Sequence, residues 1–255
     1  MVTVLGLGEA GARIAADLVQ AGVAVRGYDP VAAAPAGVAA VHDPATAASG
    51  SAAVLALTTA STAIAAAESA LPALGSGAIY ADLNTASPAL KRDLAALVDR
   101  GGARFADVAL LGPVPARGLG TAALASGPGA HAFSELFGAL GMPVEVVSDR
   151  PGDAATLKLL RSVFMKGLAA AVLESLAAAD AAGHEDWLRG EIAAVVGDPL
   201  VERFVEGSMR HAARRVEEME AARELLLELG VEPRVATASA SVLAEIAAVR
   251  PPDGR

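Results

Sequence analysis

Residues 2–29 read VTVLGLGEAGARIAADLVQAGVAVRGYD, and this stretch decides the fold of the N-terminal half. An apolar run predicts a short buried strand, and Gly6, Gly8 and Gly11 follow it at the spacing G-x-G-x-x-G. A helical pattern begins directly behind these glycines. In that order, Gly6 permits a tight turn, Gly8 lets the backbone approach a pyrophosphate, and Gly11 lets the helix pack against the strand. The stretch therefore predicts a dinucleotide-binding turn, although Gly and Ala clusters are common in this chain.

The cofactor predicted from this turn is NAD(H) or NADP(H). A second strand, Val23 to Tyr28, ends at Asp29, near the offset of about 20 residues at which an acidic side chain binds the ribose 2′-hydroxyl. A 2′-phosphate would meet the charge of Asp29, so NAD is favoured. Thr58 and Thr59 end another buried run. The contacts predicted from this half are Gly6, Leu7, Gly8, Glu9, Ala10, Gly11, Asp29, Thr58 and Thr59.

Composition excludes several other classes of function. The chain has 255 residues, a net charge of −9 and no cysteine. The negative charge disfavours a nucleic-acid partner, and the lack of cysteine excludes disulfides and thiolate metal sites. No metal site is predicted. Residues 44–67 carry no charge but are too weakly apolar for a membrane span, so we expect a cytoplasmic protein with no membrane partner.

Strand and helix patterns alternate through the first 150 residues, which predicts an α/β fold with a doubly wound parallel sheet, a Rossmann domain. After Pro151-Gly152 the pattern becomes helical, beginning with one helix from Asp153 to about Gly183. The predicted organisation is an NAD(P)-binding domain at 1–150, an all-helical substrate and dimerisation domain at 151–249, and a tail at 250–255.

Lysine usage indicates a candidate catalytic group. The chain has three lysines among its 20 basic residues, and Lys158 and Lys166 both lie on the predicted long helix. Ser162 lies midway between them, so all three follow one stripe of that helix. Lysine can lose its proton when desolvated and arginine cannot, so a lysine suits proton transfer to a hydroxyl or carbonyl. Alternatively, both lysines are surface residues of an amphipathic helix.

Several segments together resemble the β-hydroxyacid dehydrogenase family, which is related to 6-phosphogluconate dehydrogenase and the imine reductases. They are GLGEAGARIAADLVQAG, DLNTASP at residues 82–88, the loop at 107–121 and a lysine near the start of a long helix. The resemblance implies NAD(P)-dependent oxidation of a hydroxyacid, or reduction of its carbonyl form, by a homodimer. It places the family's catalytic lysine on Lys158. It places the S-T-x-x-P motif on Asn84, Thr85 and Pro88, which adds Asn84 and Thr85 to the predicted cofactor contacts.

The chain also departs from the family pattern at positions that contact substrate. Gly112 is kept in the loop, but Leu111 replaces a serine that would hold a substrate carboxylate, and Arg117 replaces an alanine. Ser162 replaces an asparagine four residues after the catalytic lysine. A family K-D pair falls on Glu217 and Glu218. The resemblance thus implies hydride transfer more firmly than it implies a hydroxyisobutyrate-like substrate.

A second group of polar residues lies in the C-terminal half. His211, Arg214, Arg215 and Glu218 recur on one helix face, where His211 and Arg215 are candidates to hold an anionic substrate. Alternatively, this face is solvated and its arginines pair with Glu217 and Glu218. The predicted substrate contacts are Gly112, Arg117, Lys166, His211 and Arg215, with Lys158 and Ser162 as catalytic residues.

The expected function is an NAD(P)-dependent oxidoreductase acting on a small, anionic hydroxyacid or its carbonyl form, with Lys158 as general acid and base. Two alternatives remain open. One is an imine reductase on the same scaffold. The other is a dinucleotide-binding dimer without turnover. It remains open because Leu111 and Ser162 replace a serine and an asparagine of the family pattern.

Overall fold

The computed structural model describes residues 1–249, which form two compact units. The first unit runs from Met1 to Lys158 and the second begins at Leu159. The tail predicted at 250–255 lies outside the described residues.

The first unit is built on an eight-stranded sheet with the order β3-β2-β1-β4-β5-β6-β7-β8. Its strands are β1 (Val2–Leu5), β2 (Val25–Tyr28), β3 (Ala39–Ala40), β4 (Ala53–Ala56), β5 (Ile79–Asp82), β6 (Arg104–Leu110), β7 (Ala123–Ser126) and β8 (Val144–Ser148). The chain reverses its direction of travel across the sheet between β3 and β4. This reversal beside β1 is the switch point at which open α/β sheets bind their ligands.

Helices cover both faces of the sheet. They are α1 (Glu9–Gln20), α2 (Pro44–Ala48), α3 (Ala63–Ala70), α4 (Pro88–Arg100), α5 (Val114–Arg117) and α6 (Ala130–Gly138). One apolar cluster joins β1 to α1 and α6 through Ile14 and Phe133, and a second joins β4 to α2, α3 and α4 through Ala67 and Leu94. The predicted Rossmann fold is confirmed, and its central strands are buried on both faces.

The last two strands run against the others. β7 pairs with β6 in antiparallel register, and β8 is parallel to β7. The doubly wound sheet is therefore mostly parallel, and its last two strands are antiparallel to the rest. The segment 111–122 contains α5 and one 3-10 turn, and it returns the chain to the same edge of the sheet. A return of this kind makes a hairpin rather than the crossover that parallel pairing requires.

The predicted long helix is α7 (Asp153–Ala181), and the second unit begins within it at Leu159. It is followed by α8 (Glu185–Val196), α9 (Asp198–Glu228) and α10 (Arg234–Val249). Leu159 packs with α9 and α10 around Met219 and Leu243, and Val172 packs with Phe204 in a second cluster. Within the described residues of this unit the regular elements are all helices.

The position of the helix break in α9 differs from the sequence prediction. The pattern predicts one helix ending before Gly207 and another starting at Ser208, whereas Gly207 lies inside continuous helix. The non-helical residue is His211, with φ −127° and ψ 28°. A Cβ at position 207 would lie 2.6 Å from Nη2 of Arg215. Gly207 therefore makes room for a guanidinium rather than ending a helix.

Among the described residues, one helix, α7, is long and apolar enough to cross a membrane by length and composition. Its apolar side chains, including Leu159, Ala169 and Val172, contribute to the two cores of the second unit. A core helix of a water-soluble protein that meets the same criteria is mostly buried, whereas 28% of the apolar 18-residue window of α7 is buried. The absence of a membrane partner stays a prediction.

Candidate functional site

The glycine turn has the geometry that a dinucleotide-binding loop needs. Gly6 has φ +90°, and a Cβ there would lie 2.3 Å from the carbonyl oxygen of Leu57. At Gly11 a Cβ would lie 1.9 Å from the carbonyl oxygen of Gly6. A Cβ at Gly8, by contrast, would have no atom within 4 Å, so open space lies above this glycine. Two glycines are thus required by the fold, and the third keeps space free for a ligand.

The N-terminus of α1 follows this turn directly. Gly8 is its N-cap and provides no side-chain cap, and the first intrahelical bond runs from Ala12 N–H to Gly8 O. The N–H groups of Glu9, Ala10 and Gly11 precede that bond. Such groups, together with the positive end of the helix dipole, favour phosphate oxygens. The turn therefore fits a pyrophosphate.

Asp29 lies at the end of β2 and contacts the same turn. Its Oδ2 accepts a hydrogen bond of 2.7 Å from Leu7 N–H, and its Oδ1 accepts bonds of 2.8 Å from Val31 and Ala32 N–H. Burial alone raises the pKa of Asp29, but these three donors outweigh it and hold the pKa below its ordinary value. Each carboxylate oxygen accepts about two hydrogen bonds, so Oδ2 keeps acceptor capacity for a ribose hydroxyl.

Arg26, the basic residue nearest to Asp29 in sequence, has other partners. Its Nη1 donates to the carbonyl oxygens of Ser49, at 2.7 Å, and Thr46, at 3.2 Å. These carbonyls lie at the end of α2, where a cation is favourable. Because its guanidinium binds the end of α2, Arg26 is poorly placed to neutralise the 2′-phosphate of NADP(H).

The two threonines after β4 have different surroundings. Thr58 Oγ1 accepts a bond of 3.3 Å from Asn84 Nδ2, which links the ends of β4 and β5. Thr59 caps the following 3-10 turn, where its Oγ1 lies 2.9 Å from Thr62 Oγ1. Among the predicted cofactor contacts, Thr59 therefore has a local structural function already.

Lys158 and Thr85 contact each other although 73 residues separate them in the chain. Nζ of Lys158 donates to Oγ1 of Thr85 at 2.7 Å. Thr85 lies in the loop after β5, whose end is adjacent to that of β4 in the sheet. Both side chains are half-buried. The first unit thus brings an ammonium and a hydroxyl together on the side of the sheet where the strands end.

A buried ionic network, which sequence reasoning missed, lies beneath this pair. Nζ of Lys91 lies 2.6 Å from Asp82 Oδ2 and 3.1 Å from Asp107 Oδ1, and all three side chains are at most 1% exposed. The first contact is a hydrogen bond, and the second is ionic without hydrogen-bond alignment. Burial alone lowers the pKa of Lys91, but the two carboxylates outweigh it and raise the pKa. Burial raises the pKa of Asp82 despite the nearby ammonium.

The loop at 111–121 is anchored to α1. Nη1 of Arg13 donates to Pro115 O at 2.6 Å, and Asp17 accepts from Leu119 N–H at 2.9 Å. The predicted substrate contacts on this loop are close to each other, since a Cβ at Gly112 would lie 3.9 Å from Cδ of Arg117. Arg117 is exposed to solvent. The loop therefore presents an exposed guanidinium from a fixed base.

In the second unit, Ser162 and Lys166 share a partner. Ser162 Oγ donates to Glu218 Oε1, and Nζ of Lys166 donates to the same oxygen at 2.8 Å. Burial is the main influence on Lys166, and it lowers the pKa of the ammonium although Glu218 opposes it. The side chains of Lys166 and Glu218 are only 15% and 11% exposed. Lys166 is therefore not the surface lysine of the alternative interpretation.

Arg215 and His211 lie near the break in α9. Nη1 of Arg215 donates to Ser208 Oγ at 2.5 Å, and Ser208 Oγ donates to Phe204 O at 2.6 Å. Burial lowers the pKa of the Arg215 guanidinium, partly offset by Glu218. Arg215 thus bridges the break at His211 along its own helix. Among residues 1–249 no group of three or more potential ligands could hold a metal ion.

Relatives of this chain are found among both sequences and structures. An uncharacterized 28.5 kDa protein of Methanothermus fervidus is 31% identical over 158 residues, which span 61% of each protein. The chain thus matches about three fifths of the length of that relative. A conserved hypothetical protein from Sinorhizobium meliloti has a solved structure with 28% identity and a TM-score of 0.75, covering 100% of this chain and 90% of the other.

Enzymes with the same fold are more distant in sequence. A 3-hydroxyisobutyrate dehydrogenase of Mycobacterium tuberculosis has a TM-score of 0.83 at 20% identity, covering 98% of this chain and 94% of the other. An imine reductase of Streptomyces aurantiacus has a TM-score of 0.66 at 21% identity, covering 96% and 93%. At these identities the likeness concerns the fold.

Two family models account for most of the chain. Residues 179–246 match a domain of unknown function, DUF1932, which lies within the helical second unit. Residues 1–146 match the NAD binding domain of 6-phosphogluconate dehydrogenase, and they include the glycine turn, Asp29 and Thr85. The chain therefore belongs to the family defined by the NAD binding domain of 6-phosphogluconate dehydrogenase.

Proposed function

We propose that this protein is an NAD(H)-dependent oxidoreductase that interconverts a small, anionic hydroxyacid and its carbonyl form. The observation that carries the proposal is the 2.7 Å contact between Lys158 Nζ and Thr85 Oγ1. It puts a group able to transfer protons at the carboxyl ends of the strands, where open α/β sheets of this kind bind their ligands. The family supports an NAD-binding protein, and the substrate and the proton-transfer residue are our inferences.

In this proposal the glycine turn and the N-terminus of α1 hold the pyrophosphate, and Asp29 accepts from a ribose hydroxyl. Bound NAD(H) supplies the hydride acceptor or donor. NAD(H) is preferred over NADP(H) because Asp29 carries a negative charge and Arg26 is bonded to the end of α2. Asn84 donates a hydrogen bond to Thr58, and both residues lie just beyond the carboxyl ends of β5 and β4.

Lys158 is assigned to proton transfer at the substrate oxygen. Thr85 accepts a hydrogen bond from its ammonium and so fixes the direction in which Nζ points. In the oxidation direction Lys158 acts as the neutral amine and takes the hydroxyl proton, which makes it an ammonium. In the reduction direction the ammonium gives a proton to the carbonyl oxygen and becomes the neutral amine. Arg117, exposed on its anchored loop beside Gly112, is the proposed contact for an anionic group.

The remaining predicted substrate contacts and the predicted catalytic Ser162 lie in the second unit. Ser162 and Lys166 both donate hydrogen bonds to Glu218, and Arg215 donates one to Ser208. These partners give them structural functions of their own. Their contact with substrate, like that of His211, stays a prediction, as does a homodimer in the cytoplasm.

The test is the Lys158→Met variant, assayed against a panel of small hydroxyacids, their keto forms and cyclic imines. We expect NADH to bind with wild-type affinity and turnover of the hydroxyacid to fall at least ~100-fold, the lower range for loss of a general acid or base. Thr85→Val is the companion variant, because it removes the acceptor and keeps the ammonium. Wild-type turnover in Lys158→Met would refute the assignment.

Two other functions remain as outcomes of the same panel. The imine reductase of similar fold supports the first, which predicts turnover of an imine that survives loss of Lys158. The second is a dinucleotide-binding protein without turnover. It predicts tight NADH binding and no activity on any substrate of the panel.

A further inference from the structure

Lys91 differs from the two other lysines of the chain because it is buried inside the first unit. It lies in the first turn of α4, and its ammonium hydrogen-bonds both the side chain and the carbonyl oxygen of Asp82, at 2.6 and 2.9 Å. Asp82 and Asp107 are paired in register on β5 and β6, so their carboxylates lie on the same side of the sheet. Two carboxylates buried so close together repel each other unless a cation or a proton lies between them, and here the cation is the Lys91 ammonium.

Asp82 connects this cation to the loop that carries Thr85. Its Oδ1 accepts from Asn84 Nδ2 at 2.5 Å, and Asn84 Nδ2 also donates to Thr58 at 3.3 Å. Asn84 precedes Thr85 directly. The position of the Thr85 backbone is therefore set by a residue that is bonded to Asp82.

Asp107 connects the same cation to the start of α7. Its Oδ2 accepts from Ala155 N–H at 3.0 Å and from Ser126 Oγ at 3.1 Å, and Ser126 Oγ accepts from Ala154 N–H at 3.0 Å. These are first-turn N–H groups of α7, which have no partner within the helix. Lys158 follows Ala154 by one helical turn. The helix that carries Lys158 is thus capped by the sheet at Asp107 and Ser126.

We propose that Lys91 is a positioning residue, whose buried ammonium joins Asp82 to Asp107 and so fixes both sides of the contact between Lys158 and Thr85. One branch of the network ends next to Thr85, and the other ends one turn before Lys158. The inference rests on the proposed function in assigning chemistry to Lys158. Lysine suits this site because a compact ammonium fits between two carboxylates, whereas a planar guanidinium needs more space.

The test uses the small number of lysines. The protein is treated with trace amounts of an amine-acylating reagent well below its melting temperature, and the labelled fraction of Lys158 is measured by mass spectrometry. The variant is Lys91→Met combined with Asp82→Asn, which removes one positive and one negative charge together. We expect Lys158 to react at least threefold faster than in the wild type, because its contact with Thr85 is loosened.

Leu94→Ala is the matched control. Leu94 is fully buried on the same helix, one turn after Lys91, and its truncation lowers the melting temperature without touching the network. If Lys158 reacts at the wild-type rate in the double variant, or equally fast in Leu94→Ala, Lys91 is only structural and the inference is overturned. Should the double variant not fold, Asp107→Asn replaces it. In Asp107→Asn we also expect Lys158 to be labelled at least threefold faster than in the wild type. A wild-type labelling rate in that variant would equally overturn the inference.

Labelling needs no substrate, so the two proposals can fail separately. A faster reaction of Lys158 in the double variant, together with a wild-type protein that turns over nothing, refutes the proposed function alone. Normal turnover in the wild type with an unchanged labelling rate in the variant refutes the positioning function alone.

Discussion

Gly8→Ala should separate cofactor binding from folding. A Cβ at Gly8 meets no atom within 4 Å, so the protein itself has room for the added methyl group. Gly8 is the N-cap of α1 with φ −65°, which alanine adopts freely, and we expect a folding cost of at most about 1 kcal/mol. For a protein of this size, that lowers the melting temperature by roughly 2–4 °C.

The effect on cofactor affinity should be much larger. The methyl group would occupy the space into which a pyrophosphate must come. Overpacking of a closely fitted site costs about 1–3 kcal/mol, which corresponds to a loss of affinity of roughly five- to 150-fold. The assay is a fluorescence titration of each variant with NADH, paired with a melting curve.

Two other glycines serve as controls for this experiment. Gly138→Ala, at an open helical position in the same unit, should leave NADH affinity unchanged. Gly11→Ala should destabilise the fold, because its Cβ would lie 1.9 Å from Gly6 O. Wild-type NADH affinity in Gly8→Ala would refute the placement of the pyrophosphate.

Three further predictions concern Asp29 and the polar group of the second unit. Asp29→Ser should bring the affinities for NADH and NADPH closer together in the same titration. Unchanged affinities for both nucleotides would show that Asp29 does not contact the cofactor. The pKa of Asp29 is lowered in the folded state, so its carboxylate stabilises the fold above the unfolded pKa of 3.8, and that contribution is lost as pH falls through the folded pKa. The difference in melting temperature between wild type and Asp29→Asn should therefore shrink from about pH 6 to about pH 3, whereas a constant difference would contradict this sign. Glu218→Gln should destabilise the protein by about 3 kcal/mol in denaturant unfolding, because it leaves the Lys166 ammonium buried without its counter-ion. Adding Lys166→Met should recover most of that loss, and failure to do so would mean that the pair is not coupled.

Local sequence signals suffice for the features that depend on neighbouring residues. The glycine spacing fixes the turn because Gly6 needs a positive φ and Gly11 must approach Gly6 O closely. Ser87 and Pro88 set the start of α4, where Ser87 Oγ accepts from Leu90 N–H. Both signals lie within a few residues of the structure that they determine. Such signals also predict the alternation of strands and helices.

Features that depend on distant residues could not be predicted in this way. The contact between Lys158 and Thr85 joins residues 73 positions apart, and only the resemblance to a family connects them in the sequence. Lys91 has the sequence context of a surface lysine, and its burial depends on the register that pairs Asp82 with Asp107. One available signal is that each aspartate interrupts an apolar run, at residues 78–83 and 105–111, because a carboxylate that such a run buries requires a partner.

The helix break in α9 shows a third limit. Glycine ends many helices, so the sequence predicts a boundary at Gly207, yet this residue lies inside α9, where its lack of a side chain leaves room for the guanidinium of Arg215. The actual break at His211 has no proline or glycine to announce it. It accompanies the bond from Arg215 to Ser208, which spans seven residues along the same helix.

Titration of the purified protein with NADH and, separately, NADPH tests the central claim most directly. We predict that NADH binds more tightly than NADPH and, at about 100 times its dissociation constant, adds about 2.7 kcal/mol to the free energy of unfolding. The melting temperature must then rise with NADH concentration. If neither nucleotide binds at millimolar concentration, the glycine turn belongs to the fold alone and the proposed oxidoreductase function is wrong.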